Sequence, residues 1–597
     1  MSPANLAQNE LSRLVWAAKY RYGREASVAE TWERVAAAVS KAESRDRDRW
    51  TDAFQRLLAD FRFLPGGRIL AGAGTDRDVT LFNCFVMGPV DDSLEGIFDS
   101  LKAGAITMQQ GGGVGYDFST LRPAGTPVRG KGTIASGPVS FMHIWNAMCA
   151  TMLSTGARRG AMMATLRCDH PDIEAFIDAK RDPAALRNFN LSVQITDEFM
   201  AAVHADRDWP LVFPAASGDP QGEVIRRRWS NAPGEVACRV FRVVKARTLW
   251  ERLQRAAYEV AEPGVLFIDR INHDNNLWYR EQITATNPCG EIPLPPYGAC
   301  NLGSLNLTRF VNQAFTPSAT LNMDELRAAA QLAVRFLDNV IDISRYPLPQ
   351  QSAAARETRR LGLGITGLAD ALAMLGQRYD TQAAREIAAS IMQTVCHAAY
   401  RASVELADER GPFPGFDANS YLQGPFTERL PADIRAGIEQ SGIRNSHLLA
   451  VAPAGTISLL ANNVSSGIEP MFALEFERQV LGPDGRRHSH RVRDAAWDSW
   501  QKDHPGADPP PQFIAATHVS ARDHLAMQAA LQPWVDNAIS KTVNVPGSCG
   551  FDEFAGLYSE AYELGLKGCT VFRPNPATDS VLSQPMAHCC DVDREAD

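Results

Sequence analysis

The sequence lacks any long apolar run. Residues Met1–Tyr20 mix polar and apolar side chains, and no stretch of the 597 residues approaches the roughly 20 apolar residues of a membrane-spanning helix. We therefore expect no signal peptide, no membrane partner and a cytoplasmic protein. A net charge of −9 argues against a nucleic-acid partner, although not against a nucleotide. With 45% hydrophobic residues, the chain is expected to be globular with a large core.

The sequence also lacks cysteine pairs at the spacing of structural zinc ligands. Such ligands usually lie about two to four residues apart, and none of the 11 cysteines has a neighbour at that distance. We therefore expect no metal site. An odd cysteine count without an export signal indicates a reducing compartment, where any disulfide is expected to be transient and catalytic.

Two glycine-rich stretches lack the residues that would make them common phosphate-binding loops. Gln109–Ser119 has no third glycine to complete G-x-G-x-x-G, which excludes the dinucleotide-binding fingerprint. Gly125–Gly132 comes close to a P-loop, but Gly132 stands where Ser or Thr would hold magnesium. We therefore exclude a P-loop nucleotide hydrolase.

The stretch from Asn287 to Cys300 contains the most reactive pattern in the chain. It places the thiol of Cys289 between the amide of Asn287 and the carboxylate of Glu291. Its prolines exclude a helix, and alternate side chains of an extended loop share a face, so these three groups are expected to point the same way. A thiol beside an amide and a potential general base indicates catalysis. The alternative is that Cys289 is a small buried hydrophobic residue.

This stretch resembles the active-site finger loop of ribonucleotide reductases. The Asn-x-Cys-x-Glu core and the following Ala-Cys-Asn-Leu-Gly-Ser carry the resemblance, which extends over about residues 60–575. The resemblance implies that Cys289 holds a thiyl radical that abstracts the 3′-hydrogen of the substrate. It also implies that Glu291 accepts the 3′-hydroxyl proton as general base and that Asn287 orients the ribose hydroxyls.

Further cysteines gain a role from the same resemblance. Thr80–Met87 reads as a buried strand in which Cys84, taken alone, is a core residue. The resemblance implies that Cys84 pairs with Cys300, because two thiols that close to a disulfide supply the two electrons of the reduction. It also implies that Cys589 and Cys590 pass electrons from a thioredoxin- or glutaredoxin-like protein to that pair. These two cysteines are adjacent, unlike those of relatives, and a metal-binding or irregular terminus is the alternative.

Residues Val451–Ala461 read as a strand, a turn of small residues and a helix start, which suits a diphosphate. The resemblance implies a substrate-phosphate loop here, although the family more often has a hydroxyl residue at the first of its positions. The substrate-binding residues that the resemblance implies are Gly67, Asn83, Ala454, Gly455, Thr456, Ile457 and Ser458.

An effector site is implied as well. Asp92 precedes a helix with Ile97, Phe98 and Leu101 on one face, and taken alone it would be the helix N-cap. Asp169 is likewise expected to cap a helix. The resemblance implies that deoxynucleotide or ATP effectors bind between two copies of the chain, in a homodimer. The effector residues that it implies are Asp92, Arg122, Arg129, Arg158 and Arg159.

The source of the radical follows from Val571 and Phe572. Relatives that need a radical-generating subunit have two adjacent tyrosines there, and a glycyl-radical enzyme needs a C-terminal glycine loop that this chain lacks. The resemblance therefore implies adenosylcobalamin as cofactor. A partner-dependent catalytic subunit and a non-catalytic nucleotide-binding regulator are the alternatives. Ribonucleoside diphosphate is favoured as substrate, and triphosphate stays open.

The resemblance implies an α/β fold, a ten-stranded α/β barrel of two parallel halves with the finger loop at its centre. We expect an N-terminal helical region at 1–62, the barrel at 63–575 and a flexible redox tail at 576–597. Helical spacing of apolar residues up to Ala18, and again from Trp32, supports the first region. Residues 205–240 are expected to be a surface insertion and residues 323–411 mainly helical.

Overall fold

The structure is a computed structural model of the chain. It describes residues 8–128, 133–154, 158–159, 161–182, 184–215, 222–230, 232, 234–481 and 487–574. None of the helices in these ranges is long and apolar enough to cross a membrane.

The α-helices of the described chain are α1 (Glu10–Val15), α2 (Val28–Val39), α3 (Arg47–Leu58), α4 (Gly67–Gly72), α5 (Leu94–Gln109), α6 (Pro138–Thr151), α7 (Ile173–Asp178), α8 (Asp197–His204), α9 (Ala246–Val260), α10 (Ile268–His273), α11 (Met323–Ile343), α12 (Pro349–Thr358), α13 (Leu368–Met374), α14 (Gln382–Arg410), α15 (Ala418–Leu422), α16 (Pro425–Glu428), α17 (Ala432–Ser441), α18 (Gly455–Leu460), α19 (Ala495–Asp503), α20 (Ala521–Leu531) and α21 (Phe551–Glu563).

The strands are β1 (Phe63–Pro65), β2 (Cys84–Val86), β3 (Gly113–Asp117), β4 (Pro127–Val128), β5 (Thr133–Ile134), β6 (Leu153–Ser154), β7 (Arg158–Arg159), β8 (Met162–Arg167), β9 (Phe189–Ile195), β10 (Asp208–Pro214), β11 (Val224–Arg228), β12 (Glu235–Lys245), β13 (Gly264–Phe267), β14 (Ala285–Thr286), β15 (Pro293–Leu294), β16 (Ala299–Asn306), β17 (Val311–Asn312), β18 (Thr320–Leu321), β19 (Leu361–Thr366), β20 (Glu475–Leu481), β21 (Arg487–Arg493), β22 (Thr542–Asn544) and β23 (Gly568–Phe572).

The N-terminal region is helical, as its apolar spacing predicts. Trp32 and Val35 on α2 are buried at the spacing of one helical face. Ala18, in contrast, is exposed. The chain continues from α1 into a π-helix at Trp16–Tyr20, whose wider turn moves the buried face to Trp16 and Tyr20.

The main sheet consists of two parallel sets of strands. In the first set, β2, β3, β8, β9 and β13 pair in parallel. In the second, β16 pairs in parallel with β19, and β22 with β23. The two sets meet in antiparallel pairs, β16 with β2 and β13 with β23.

The segment 447–451 closes this sheet into a ring. It bridges β19 through Leu363 and Leu449, and it bridges the chain just before β22 through Val451 and Ile539, both in parallel. This arrangement confirms the α/β barrel of two parallel halves. The tenth member of the 10-stranded sheet, β1, pairs antiparallel with β16 at the rim.

The barrel strands are buried on both faces. Strands β8, β16 and β19 have no exposed residue along their length. Parallel strands show such continuous burial when helices cover one face and other side chains fill the opposite one. Here the filling includes the hairpin of β14 and β15, which contributes Ala285, Ile292 and Leu294 to a cluster with Cys84 and Cys300.

Two regions contain elements that the sequence did not indicate. Residues 205–240, expected to be a surface insertion, include β10, β11 and the start of β12, which form an antiparallel sheet whose alternating Val236, Cys238 and Val240 pack on one small cluster. Residues 323–411 are mainly helical, as predicted, but Leu361–Thr366 is a barrel strand. Its alternating glycines are needed because a Cβ at Gly364 would lie 2.3 Å from a backbone oxygen of the next segment.

Candidate active site

The reactive stretch forms the turn of a hairpin inside the barrel. Strands β14 and β15 pair antiparallel and leave residues 287–292 as their connection. The Asn287 amide donates to the carbonyl oxygen of Ile292 (3.3 Å), and the Gly290 amide to that of Asn287 (3.2 Å). Gly290 has a φ of +85°, which glycine adopts without strain. The loop is a tight turn, so the expectation of an extended loop with alternating side chains is wrong.

This turn brings an amide, a carboxylate and a thiol together. Nδ2 of Asn287 donates to Oε1 of Glu291 at 2.8 Å and to Sγ of Cys84 at 3.2 Å. The Cys84 thiol lies 3.8 Å from the same carboxylate oxygen. Oδ1 of Asn287 accepts from the Ile292 amide at 3.0 Å, which fixes the orientation of the side chain. Asn287 therefore holds Glu291 and Cys84 in place.

Glu291 has the electrostatics of a general base. Burial raises the pKa of its carboxyl to about 7, because the hydrogen bonds from Asn287, from backbone and from Cys84 only partly offset the loss of solvent. Its Oε2 atom has no hydrogen-bond partner among the described residues. A carboxylate with a pKa near neutrality and an unused oxygen is suited to accept a proton from a bound molecule.

The two thiols named for electron supply face each other. Cys84 on β2 and Cys300 on β16 are direct partners in an antiparallel pair. Opposite residues of such a pair have Cα atoms about 4.5–5.5 Å apart, which is within the span of a disulfide. Burial raises the pKa of both thiols, and Glu291 raises it further at Cys84. Both are therefore protonated at neutral pH.

Cys289 lies at the tip of the turn and differs from these thiols in exposure. Cys84 and Cys300 are fully buried, whereas Cys289 is partly exposed. Its charge contributes to the raised pKa of Cys84, so the two sulfurs are close in space. Cys289 is thus near the buried dithiol and open on one side.

The glycines of β3, within the run Gln109–Ser119 that lacks the dinucleotide-binding fingerprint, make room for the hairpin of β14 and β15. A Cβ at Gly115 would lie 1.9 Å from the Thr286 carbonyl oxygen, and one at Gly113 would lie 3.2 Å from Pro288. Asn190 on β9 donates to the Pro288 carbonyl oxygen at 2.8 Å. The sequence analysis did not assign these residues to the site. The alternating glycines of a buried strand were the pattern that could have indicated a close approach of another segment.

The predicted substrate residues Gly67 and Asn83 lie at the barrel wall. Asn83 precedes Cys84, is 3% exposed, and neither polar atom of its side chain has a partner among the described residues. A Cβ at Gly66 would lie 2.8 Å from Oδ1 of Asn83, and Gly67 begins α4 directly after it. An amide that is buried without a partner is suited to bind a ligand.

The predicted phosphate turn follows the segment that closes the barrel. Ala454 has a left-handed φ of 51° and precedes α18. Hydroxyl Oγ of Ser458 donates to the Gly455 carbonyl oxygen at 2.8 Å and lies 3.3 Å from Oγ of Ser466. The turn and helix start expected from the sequence are therefore present, with Thr456 and Ile457 in the first turn of α18. In place of the expected strand there are only isolated bridges at Leu449 and Val451.

Two of the predicted effector residues contact each other. Nε of Arg122 forms an ion pair with Asp92 at 2.6 Å, and the Arg122 amide donates to the same carboxylate. The N-cap of α5 is Ser93, which accepts from the Gly96 amide at 3.0 Å, so Asp92 is not the cap. Asp169 is not a cap either, because the N-cap position of α7 is Asp172, and the Asp169 carboxylate instead accepts two hydrogen bonds from Arg167.

The remaining predicted residues are described in part or not at all. Arg158 and Arg159 are the two residues of β7, which pairs antiparallel with β6. Arg129, Cys589 and Cys590 lie outside the described residues. Among the described residues, no group of three or more His, Cys, Asp or Glu side chains is arranged to hold a metal ion.

Comparison with known proteins agrees with this geometry. The family model described as "Ribonucleotide reductase, barrel domain" matches residues 82–572, and "Ribonucleotide reductase, all-alpha domain" matches residues 6–78. The chain is 39% identical over 568 residues to a protein of Mycobacterium tuberculosis named vitamin B12-dependent ribonucleoside-diphosphate reductase. That match covers 92% of this chain and 74% of the relative.

Two further relatives extend the range of organisms. A protein of the same name in Thermoplasma acidophilum is 34% identical, with 89% of this chain and 66% of the relative covered. The ribonucleoside-diphosphate reductase large subunit of Vaccinia virus is 30% identical, with 71% of this chain and 57% of the relative covered. The chain belongs to the ribonucleotide reductase family.

Proposed function

We propose that this chain reduces ribonucleoside diphosphates to 2′-deoxyribonucleoside diphosphates with adenosylcobalamin as radical source. The observation that carries the proposal is the contact of Asn287 with both Glu291 and Cys84, opposite Cys300. One turn thus joins a base to a buried dithiol, which are the two groups that removal of a ribose hydroxyl requires. The names of the bacterial and archaeal relatives support the cofactor and the diphosphate substrate.

The residues present fit the cofactor. Cys289 is partly exposed while the thiols beside it are buried, so it is the sulfur that a bound group can approach. Val571 and Phe572 on β23 carry no phenol for a radical relay from another subunit. When bound, adenosylcobalamin would supply the radical that removes a hydrogen atom from the Cys289 thiol. Cys289 in turn abstracts the 3′-hydrogen of the ribose and later returns it.

Glu291 and Asn287 handle the proton of the 3′-hydroxyl. Oε2 of Glu291 accepts this proton, because that oxygen has no partner among the described residues and the carboxyl pKa of about 7 leaves it ready to gain or lose a proton. Asn287 keeps its hydrogen bond to Oε1 and so prevents the carboxylate from rotating. Glu291 is 1% exposed, and such buried surroundings limit the access of water to the radical.

Cys84 and Cys300 complete the reduction. Cys84 protonates the 2′-hydroxyl, which leaves as water, and the two thiols together give two electrons and two protons. Their sulfur atoms end as a disulfide, and hydrogen replaces the hydroxyl at C2′. We assign the return of this disulfide to two thiols to Cys589 and Cys590, which take electrons from a thioredoxin- or glutaredoxin-like protein.

The substrate is held by groups from both halves of the barrel. Asn83 and Gly67 contact the sugar, since Asn83 is a buried amide without a partner next to Cys84. The diphosphate binds at Ala454–Ser458, where the first-turn amides of a helix have no acceptor within it. The position of this turn directly after the closing segment 447–451 supports the assignment.

Regulation and assembly form part of the proposal. The exposed apolar side chains of Leu94 and Phe98 on α5, 58% and 51% exposed, support a homodimer that pairs through this helix. Deoxynucleotide or ATP effectors bind beside it at Asp92 and Arg122, together with Arg129, Arg158 and Arg159. The division into a helical region at 1–62, a barrel at 63–575 and a redox tail at 576–597, and a cytoplasmic location, complete the proposal.

A second candidate is a catalytic subunit that needs a radical-generating partner. The similarity to the Vaccinia virus large subunit favours it. The absence of a phenol at Val571 and Phe572 argues against it.

The test is deoxynucleotide formation from CDP or ADP by this chain alone, with a dithiol and an effector, with and without adenosylcobalamin. We expect product only with the cofactor and none from Cys289→Ala. Product without the cofactor, or turnover by Cys289→Ala, would contradict the proposal. No product under either condition, with restoration by a radical-generating subunit, would establish the second candidate.

A further inference from the structure

A buried arginine lies beside one of the two facing thiols. Strands β16 and β19 pair in parallel, with Asn301 opposite Leu361. Continued by one residue, this register places Arg360 next to Cys300, whose other neighbour is Cys84. Adjacent segments of the barrel thus carry, in order, a thiol, a second thiol and a guanidinium.

Arg360 is buried and held by two neighbouring side chains. The residue is 2% exposed. Its Nη2 donates to the Glu281 carboxylate at 2.5 Å, and its Nε donates to Nδ1 of His447 at 3.1 Å. Because Nδ1 of His447 is an acceptor, that ring is neutral. Burial first, and then the charges of Arg360 and Lys567, place the pKa of His447 well below its usual value.

The charged groups around the two thiols differ, because a cation acts on Cys300. Burial raises the pKa of Cys300, and Arg360 is the largest influence that lowers it, against the more weakly felt carboxylates of Glu291 and Asp536. At Cys84 the nearest charged group is Glu291, 3.8 Å from the sulfur. A negative charge on sulfur is therefore better tolerated at Cys300 than at Cys84.

We propose that Arg360 is a positioning residue that directs reduction of the Cys84–Cys300 disulfide, so that an incoming thiolate attacks Cys84 and Cys300 leaves as the thiolate. The inference rests on the proposed function for the role of this disulfide in turnover. Neither the arginine nor its partners Glu281 and His447 belong to the groups assigned to the substrate.

The step balances as a thiol–disulfide exchange. The reductant is an external thiol, and its thiolate forms a bond to Sγ of Cys84 while the Cys84–Cys300 bond breaks. The electron pair of the broken bond goes to Sγ of Cys300, where Arg360 stabilises it until a proton arrives. A second thiolate then attacks the reductant's sulfur in the mixed disulfide and releases Cys84. The leaving group with the lower pKa departs faster, so the arginine sets the direction.

The test locates the first mixed disulfide. The full chain is oxidised with diamide, exposed briefly to 2-mercaptoethanol, quenched with acid and alkylated, and the adduct is assigned by peptide mass spectrometry. We expect the adduct on Cys84 in at least about tenfold excess over Cys300. In the charge-neutral double variant Glu281→Gln/Arg360→Gln, the excess should fall towards equal amounts. Arg360→Lys keeps a positive charge and should keep most of the preference.

A matched pair of residues controls for loss of a buried ion pair. Arg34 and Glu25 form a comparable pair in the N-terminal region, 2.6 Å apart with both side chains 10% exposed. The double variant Glu25→Gln/Arg34→Gln should leave the preference unchanged. An adduct mainly on Cys300, an unchanged ratio in Glu281→Gln/Arg360→Gln, or no reducible Cys84–Cys300 disulfide would each overturn the inference.

The same chemistry separates this inference from the proposed function. Diamide forms the disulfide without nucleotide or cofactor, so the adduct ratio is measured whether or not the chain turns over. If the ratio follows Arg360 but nucleotide turnover never produces the disulfide, the proposed function fails and the inference about exchange direction stands.

Discussion

Two buried glutamates in this molecule have opposite electrostatics. Glu291 in the barrel and Glu43 near the N-terminal helices are 1% and 3% exposed. Burial favours the neutral form of both. The pKa of Glu291 rises to about 7, whereas the pKa of Glu43 lies below its usual value. Similar solvent exposure therefore does not determine the charge of a carboxyl group.

The partners of each carboxylate explain the difference. At Glu43, hydrogen bonds from Arg335 at 2.7 and 2.8 Å, one from Asn339 at 2.8 Å and a contact with Arg410 at 2.5 Å outweigh burial. Glu291 has no arginine or lysine partner of this kind among the described residues. Its second carboxylate oxygen, Oε2, has no hydrogen-bond partner among them either.

This contrast separates a structural from a reactive carboxylate. Glu43 joins the N-terminal helices to α11 and α14, and every charge there is matched. Glu291 is held only by neutral groups, the Asn287 amide, backbone and the Cys84 thiol, so it is destabilised as an anion and able to take up a proton.

The largest effect is expected at Glu291. Glu291→Gln keeps the shape and the contact with Asn287 but removes the base, so turnover should fall about 10²–10⁴-fold. Deoxynucleotide formation by the cofactor-loaded chain measures it. Glu43→Gln is the control, with turnover per folded molecule close to that of the wild type. Turnover of Glu291→Gln within tenfold of the wild type would remove the carboxylate from the mechanism.

The sequence predicted the reactive residues because they lie close together along the chain. Asn287, Cys289 and Glu291 lie within one motif, and the resemblance located them and the barrel, although the geometry that unites two of them is a turn and not an extended loop. The glycines at 113 and 115 fit that turn but belong to another strand. Such fits depend on tertiary approach, which local spacing does not reveal.

The ion pairs of Glu43 could not be predicted from the sequence, because their members also meet only through tertiary structure. Glu43 follows a short 3-10 helix and looks like any surface glutamate in the sequence. Its partner Arg335 is 292 positions away. Arg360 likewise reaches Glu281 and His447 only after the barrel closes. Long-range ion pairs have no periodic pattern, so composition and spacing do not indicate them.

The second largest effect is expected on stability at Glu43. Glu43→Ala removes the buried carboxylate between Arg335 and Arg410 but leaves both in contact with the half-exposed Glu409, and Arg410 also with Asp338 at 3.6 Å. Because these carboxylates offset part of the loss, we expect a cost of about 3 kcal/mol, at the lower end of the range for breaking a buried ion pair. The free energy of unfolding, from urea denaturation followed by tryptophan fluorescence, measures it. Glu291→Ala is the comparison variant. A loss below about 1 kcal/mol at Glu43 would show that the network does not hold the N-terminal helices.

The pH dependence of stability should have opposite signs at the two glutamates. The folded pKa of Glu43 is depressed, so its contribution is present above the unfolded value of 4.5 and is lost as pH falls below it. The folded pKa of Glu291 is raised to about 7, so wild type loses stability relative to Glu291→Gln as pH rises from 4.5 to 7. That loss is at most about 3 kcal/mol.

Urea denaturation of wild type, Glu43→Gln and Glu291→Gln between pH 4 and pH 8 tests this. The difference between wild type and Glu43→Gln should shrink at the acid end, and the advantage of Glu291→Gln should grow at the alkaline end. Slopes of the same sign for both variants would mean that burial, and not the set of partners, governs the two carboxyl groups.

The smallest effect is expected when Glu43 loses one of its several donors. Arg410→Gln removes one positive charge but leaves Arg335 and Asn339 in place, so the loss should be about 1–2 kcal/mol. The pKa of Glu43 should rise towards its usual value, which moves the acid loss of stability to higher pH. The control is Arg385→Gln on the same helix, since Arg385 pairs with the partly exposed Asp523 and should cost less than about 1 kcal/mol. A larger loss of unfolding free energy at Arg385 than at Arg410 would contradict the view that buried ion pairs make the Glu43 network strong. The contrast with Glu291 would then have no physical basis.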